Sequence, residues 1–373
     1  YDPEKKKKGK RLISGVKTHI INISKSLEKM GIEVITLNPQ TRVRRRRIYK
    51  TFVTPLDEHF EFVVNPFLPT AQFIKRQKPD AIFLSTPEAP LGMAARQVAK
   101  VTPNITRHKE IPYTSSYHTN NDIYFQERVS QISGGTINVN GDIINKLTRN
   151  VYKDSYKVVV PTKTIESKIN SIGITNTVVW PRGVDADLFR PPNEKEKNPY
   201  EKISWYRNQD KPILLYFGRI SPEKNLKAFL DIKSKKYHKV LIGDGPQTDF
   251  LKSDYKSDTD VHFLGAKFGE ELAQYVRFAD LLVFTSKFDT FGNVITEAGA
   301  SGVPCVAYDV QGPHDVIKEG MGIKIGVNGS IANAIPIALQ LDKENCRTIT
   351  IENYSWEKSA KILLANLKKI DWK

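Results

Sequence analysis

The chain has 373 residues, 39% hydrophobic and 26% charged, a balance that suits a globular protein large enough for two ordinary α/β domains rather than one core. No apolar run approaches the ~18–20 residues of a membrane span, and the two cysteines, Cys305 and Cys346, form no metal or disulfide pattern, so a reducing compartment is expected. The net charge is +16, of which +11 falls in the first 50 residues, largely in 5-KKKKGKR-11 and 42-RVRRRR-47.

Short apolar runs predict strands at 33-EVITLN-38, 60-FEFVV-64, 80-DAIFLS-85, 112-PYTSSY-117, 157-KVVVP-161 and 177-TVVW-180. A second series follows at 213-ILLYFG-218, 239-KVLIG-243, 261-VHFLG-265, 281-LLVFT-285, 304-PCVAY-308 and 322-GIKIG-326. Amphipathic stretches lie between them, such as 16-VKTHIINISKSLEKMG-31 with its terminal glycine. This alternation predicts an α/β fold of parallel sheets. The rhythm breaks at the polar, Pro-containing 190-RPPNEKEKNPYEK-202, and 130-SQISGGTINVNGDI-143 reads as a surface insertion. The expected organisation is an N-terminal Rossmann-like domain over 1–190, a linker over 191–210, a C-terminal Rossmann-like domain over 211–352 and a C-terminal helix over 353–373. That helix is expected to pack back on the N-terminal domain.

Ligands of open parallel sheets bind beyond the C-terminal ends of the strands, so the informative residues are those just after each run. In 217-FGRISPEKN-225, Gly218 ends a strand and the cations Arg219 and Lys224 follow, five positions apart. A guanidinium fork and an ammonium beside a helix start can clamp a diphosphate, although two exposed surface cations give the same spacing. Gly245 in 241-LIGDGP-246 and Gly15 in 14-SG-15 either let backbone approach a ligand or simply make turns. In 289-DTFGNVITEAGASGVP-304, Asp289 stands ahead of a helix expected to start near Gly292-Asn293, and Glu297 stands inside it. The two carboxylates can bracket a ligand laid over the helix N-terminus, with the amides of Phe291, Gly292 and Asn293 beneath it. The plainer alternative makes Asp289 an acid favoured by the helix dipole and Glu297 a surface residue. His118 follows the run 112–117, and the other six histidines lack such a position. The pairs Asp185/Asp187 and Asp258/Asp260 are given no metal role, and no metal-ligand spacing is visible.

Taken together, these stretches make the chain resemble the retaining, GT-B-fold glycosyltransferases of family 4. The match rests on 13-ISGVKTHIINISKSLEKMGIEVITL-37, 182-RGVDADLFRP-191, 217-FGRISPEKN-225 and the paired-acid motif 289-DTFGNVITEAGASGVP-304, which has Asp where the family usually has Glu. The stretches 87-PEAPLGMAAR-96, 116-SYHTN-120, 243-GDGP-246 and 306-VAYDVQGPHDVI-317 look closest to a bacterial subgroup of mannosyl- and glucosyltransferases with lipid-linked acceptors. The family's first strand precedes the position of Tyr1, so some N-terminal sequence is expected to be missing.

The resemblance implies two Rossmann-like domains facing a cleft and retaining, metal-independent transfer of a hexose, mannose or glucose, from a GDP- or UDP-linked donor to a lipid or glycan hydroxyl. It implies that Arg219 and Lys224 bind the donor diphosphate and that Glu297 holds the ribose. Asp289 holds the sugar hydroxyls, His118 lies beside the transferred sugar, and Gly15 lets the acceptor-side domain approach the phosphates. No cofactor is expected. The basic runs 5–11 and 42–47 suit an anionic membrane surface, or solvated loops, better than nucleic acid, for which no motif is present. A cytoplasmic protein, peripheral on the membrane, is the matching location. Two competing functions are a non-hydrolysing nucleotide-sugar epimerase, which shares the two-domain fold but not the Asp289-to-Glu297 run, and a non-catalytic protein that binds anionic surfaces, against which the intact Arg219, Lys224 and Glu297 argue.

Overall fold

The structure, a computed structural model, describes residues 15–38, 66–101, 110–118, 140–203, 205–206 and 211–372, with strand segments at 42–43, 46–47, 50–54 and 57–64. The chain divides into two compact units: residues 1–116, 151–158 and 366–373 form the first, and 117–150 and 159–365 the second.

The first unit opens with the helix Gly15–Lys29, which presents Ile23 and Leu27 to the interior at helical spacing. Strands β1 (Arg42–Val43) and β2 (Arg46–Arg47) pair antiparallel, and so do β3 (Lys50–Thr54) and β4 (Asp57–Val64), with a register shift between Val53 and Thr54. The basic run 5–11 and Arg44 and Arg45 lie outside the described residues. The helices Phe67–Gln77 and Pro90–Val101 pack around Ile74, Val98, Ala99, Ile111 and Tyr113. Strands β5 (Phe83–Leu84) and β6 (Thr114–Ser116) pair parallel. The end of the chain joins this core: Ile370 is buried in it, its N–H donates to Asp80 O (2.8 Å), and Trp372 Nε1 donates to Pro79 O (2.9 Å). The residues after the last helix, Trp356–Ala365, therefore make this contact, where the sequence suggested the helix itself.

Two further expectations need correction, and a third is tested only at its end. Residues 33–38 form no strand, and Ile35 is exposed. The run 60–64 is a strand, but it pairs antiparallel with its hairpin neighbour instead of joining a parallel sheet. Of the expected insertion 130–143, residues 141–143 begin the helix Gly141–Tyr152, and 130–139 lie outside the described residues.

In chain order β7 (Lys157–Val160), the helix Lys163–Ser171 and β8 (Thr177–Val179) come next, and the helix is capped by Thr162 Oγ1. The second unit is then dominated by a six-stranded, all-parallel sheet. Its strands are β9 (Ile213–Phe217), β10 (His238–Ile242), β11 (Val261–Phe263), β12 (Leu281–Phe284), β13 (Cys305–Tyr308) and β14 (Gly322–Ile325), in the spatial order β11-β10-β9-β12-β13-β14. Helices cover both faces, so the strands are near-continuous apolar runs rather than alternating ones. In β9, Ile213, Leu215 and Phe217 enter one core while Leu214 and Tyr216 enter the other. The buried Lys239 is tolerated because its ammonium donates to Leu230 O and Ile232 O and pairs with Asp258 (2.9 Å). The polar stretch 190–202 ends in the short turn Pro199–Lys202, whose Tyr200 is fully buried and donates to Tyr275 O.

Strand order reverses between β9 and β12. The connections leaving these two strands depart in opposite directions and open a crevice at their C-terminal ends, the place where open α/β sheets bind ligands.

Candidate active site

The loops after β9 and β12 meet at that crevice. Lys224, in the loop after β9, places its Nζ 2.9 and 2.7 Å from the two carboxylate oxygens of Asp289, in the loop after β12. Both side chains are partly buried, at 19% and 25% exposure, so the pair is screened less than a surface one. Side chains staple the loops together: Thr285 Oγ1 donates to Lys224 O (2.7 Å) and Ser286 Oγ to Glu223 O (3.2 Å). Asn225 closes the turn Pro222–Lys224 in the left-handed region at φ +52°, a conformation Asn tolerates better than most residues.

Arg219 lies on the same loop and is exposed; among the described residues its side chain has no hydrogen bond or ion pair, while its carbonyl accepts from Tyr216 Oη (2.6 Å). Gly218 donates to Ile242 O (2.9 Å), and Gly245 donates to Thr248 Oγ1 (2.9 Å) in the turn after β10. Ile220 N–H donates to Asp244 O and Gln247 N–H to Ile220 O, which joins that turn to the Arg219 loop.

The helix Asn293–Ala300 starts where the sequence expects it. Gly292 caps it at φ +85°, a value that disfavours any side chain there. The small residues at its end serve packing: a Cβ on Gly299 would lie 2.4 Å from Thr350 Oγ1 of the helix Lys343–Asn353. Glu297 is partly buried, not a surface residue, and its carboxylate has no hydrogen-bond or ion-pair partner among the described residues. Burial alone pushes its pKa up to about 7. The Phe291 side chain is buried, edge-on to Tyr354, so it serves the core and leaves only its backbone to face a ligand.

His118 belongs to this assembly. Its carbonyl accepts from Thr290 Oγ1 (3.0 Å), and its ring lies 6.4 Å from that of Trp180. Burial, and next the charge of Arg182, pull its pKa down to about 3, so the imidazole is neutral at physiological pH. Gly15 is the first residue of the helix Gly15–Lys29 and belongs to the first unit.

Sequence reasoning assigned no role to Arg182. It follows β8, and its Nη1 donates to Asn293 Oδ1 (3.2 Å) while its guanidinium stands 5.9 Å from the centre of the Phe291 ring. Burial lowers its pKa to about 10, and attraction to Asp289 partly restores it, so it remains a cation. The only sequence signal was an arginine directly after a predicted strand, inside 182-RGVDADLFRP-191. Its partners are more than 100 positions away, and no spacing rule reaches that far.

Lys224, Asp289, Asn293, Arg182 and His118 thus gather one neutral base, two cations, one acid and one amide around one helix start. Such a group can hold a phosphate ester beside a polyhydroxylated ring.

Residues 13–188 match the model for Glycosyltransferase Family 4, and residues 199–370 match the model for Glycosyl transferases group 1. A GDP-mannose-dependent alpha-mannosyltransferase of Corynebacterium glutamicum is 26% identical over 335 residues, spanning 87% of this chain and 74% of its own. An alpha-monoglucosyldiacylglycerol synthase of Streptococcus pneumoniae is 27% identical over 326 residues, 83% of this chain and 71% of its own. The crystal structure of Anabaena HepE in complex with UDP and glucose superposes with a TM-score of 0.67 at 17% identity, over 94% of this chain and 95% of that one. A sucrose-phosphate synthase from Thermosynechococcus elongatus gives 0.69 at 19% identity, over 94% and 92%. These likenesses fix the fold as two parallel-sheet Rossmann-like α/β domains. With the two family models together spanning nearly the whole sequence, the chain belongs to the GT-B-fold glycosyltransferases of family 4.

Proposed function

We propose that the protein transfers a hexose, mannose or glucose, from a GDP- or UDP-linked donor to a hydroxyl of a lipid or glycan, with retention at the anomeric carbon and without a metal. The observation that carries this reading is the meeting of Lys224 and Asp289 across the strand-order reversal, with the free cation Arg219 on the same loop. Arg219 and Lys224 bind the diphosphate and offset the charge it gains as the glycosidic bond breaks. Fixed groups of this kind are typically worth ~10²–10³ in turnover each. Glu297, partly buried and lacking a partner, is suited to accept hydrogen bonds from a ribose diol. Asp289 and the amides at 291–293 take the sugar hydroxyls, and Asp in place of Glu leaves one methylene more room there.

His118, held neutral, offers a hydrogen bond to the transferred sugar without adding charge. No carboxylate in this group other than Asp289 stands near the sugar position, and in this reading Asp289 is given to the sugar hydroxyls. This favours a front-face route in which the departing diphosphate takes the acceptor proton, rather than a covalent glycosyl-enzyme. The named functions of the relatives, mannosyl transfer from GDP-mannose and glycolipid synthesis, support the hexose and the lipid acceptor.

The test is a donor screen on purified protein with UDP- and GDP-hexoses, reading donor hydrolysis and transfer to lipid and soluble glycan acceptors. Transfer from one donor with retained configuration by NMR, undiminished by chelator, is the expected result. Turnover lost to chelator and restored by magnesium or manganese refutes the metal-free reading. Interconversion of free nucleotide sugars without transfer refutes the transferase reading.

A further inference from the structure

Asp289 has a difficulty that the proposed chemistry creates. Its carboxylate is held by Lys224 at 2.9 and 2.7 Å, yet the same ammonium is the group assigned to the donor diphosphate. When Lys224 turns to a diphosphate, Asp289 needs another partner to stay correctly aimed.

Arg182 is that partner. Its charge acts on Asp289, and its Nη1 is bonded to the Asn293 side chain at the first turn of the helix Asn293–Ala300. Its Nε is buried and has no hydrogen-bond partner among the described residues. A buried guanidinium N–H without a partner is costly, and it leaves Arg182 a donor to spare within the site. The backbone carrying Arg182 is fixed on both sides. Ser359 Oγ donates to Pro181 O (2.9 Å), Trp180 Nε1 donates to Ser359 O (2.8 Å), and Val184 N–H donates to Tyr354 O (2.8 Å). The base of the Arg182 side chain is therefore anchored independently of the loops after β9 and β12.

Building on the transferase reading above, we propose that Arg182 is a positioning residue of the donor site. It holds Asp289 and Asn293 in place for the sugar hydroxyls once the diphosphate has drawn Lys224 away. Arg182 thus governs recognition of the hexose, while Arg219 and Lys224 govern recognition of the phosphates.

The division of labour gives the experiment. UDP and GDP carry the diphosphate without a sugar, whereas UDP-glucose and GDP-mannose carry both. In Arg182→Gln, affinity for UDP or GDP by calorimetry should stay within ~3-fold of wild type, while turnover of the preferred nucleotide sugar falls ~100-fold. Arg182→Lys keeps the charge but not the fork and should recover part of the loss. Asn293→Ala keeps the guanidinium and removes its bonded partner; a loss of ~10-fold in turnover, again with unchanged UDP and GDP affinity, is expected, and this variant decides the matter if Arg182→Gln does not fold. Turnover in folded Arg182→Gln within ~3-fold of wild type overturns the proposal and leaves the transferase reading intact. So does an equal loss of affinity for sugar-free and sugar-bearing nucleotides, which would make Arg182 a phosphate ligand. Wild-type protein that neither binds nor turns over any of the four nucleotides overturns the transferase reading, and the proposal with it.

Discussion

Lys224 and Glu297 illustrate how residues of this site weigh differently on the fold and on the proposed reaction. The Lys224–Asp289 pair is partly exposed, so its net stabilisation is on the order of 1 kcal/mol, and Lys224→Ala should lower the melting temperature by only a few degrees. The same change should reduce kcat/KM for the donor by ~10²–10³, because a fixed positive charge at the departing diphosphate is lost. Steady-state kinetics beside thermal melting separate the two effects, and near-normal turnover in the folded variant refutes the assignment. Glu297 behaves in the opposite sense. Its folded pKa, about 7, lies above the ordinary 4.5, so between these values the native state holds more protons than the unfolded chain. Stability from this group therefore falls as pH rises from about 4.5 to about 7. Glu297→Gln removes the titration, and it should stabilise the protein by on the order of 1–2 kcal/mol at pH 8 and by almost nothing at pH 4.5. The variant should at the same time lose transfer. His118 runs the other way: its folded pKa of about 3 lies below the ordinary 6.5, so its contribution declines as pH falls from 6.5 toward 3. Denaturation across pH 4.5–8 on wild type and Glu297→Gln checks the sign; a variant advantage that grows toward low pH would contradict it.

At the level of elements, the site depends on loops held at a close approach by their neighbours. Gly312, in the helix Gln311–Val316, donates its N–H to Asp289 O (3.1 Å), and a Cβ placed on it would lie 2.7 Å from both Asp289 O and Phe291 N. Those are backbone atoms of the donor loop, which cannot rotate aside as a side chain can. Gly312→Ala should therefore displace residues 289–291 by several tenths of an ångström, lowering kcat by ~10–100-fold and stability by ~1–3 kcal/mol. Unchanged kinetics in that variant would show that the loop position is not critical. The sequence made much of this level readable. All six strands of the second-unit sheet were found, the inner four because strands buried on both faces are rich in apolar residues, and Lys224 and Asp289 were marked by standing just after strands, Glu297 by its place inside the helix that follows. What it could not show depended on pairing across the chain. Residues 33–38 have a strand's composition but do not form one, and composition carries no information about which segment lies alongside. Strand β4 reads as any apolar strand until its antiparallel hairpin with β3 is seen. Arg182 became meaningful only when folding brought Asn293 and Asp289 to it.

The charge of the whole molecule extends the argument beyond the donor site to the acceptor. Of the net +16, +11 lies in the first 50 residues, and no described helix is long and apolar enough to cross a membrane. If the acceptor is a lipid, the protein must reach it at a surface, and clustered cations can supply that attachment. Each Lys or Arg close to an anionic leaflet contributes ~1 kcal/mol, and the attraction decays over a Debye length of ~8 Å at physiological salt. The runs 5–11 and 42–47 contain enough cations that half of them acting together would give useful binding. Sedimentation with liposomes should show binding that rises with the fraction of anionic lipid, falls steeply as salt is raised, and weakens when Arg44 to Arg47 are replaced by Ser. Transfer to a lipid acceptor in anionic vesicles should drop in the same variant, while donor hydrolysis in solution stays at the wild-type rate, because the proposed donor contacts are made by other residues. Equal partition to neutral and anionic vesicles would refute electrostatic docking without touching the transferase assignment. Binding that survives high salt would instead point to apolar insertion as the dominant attachment, since only the Coulombic part is screened.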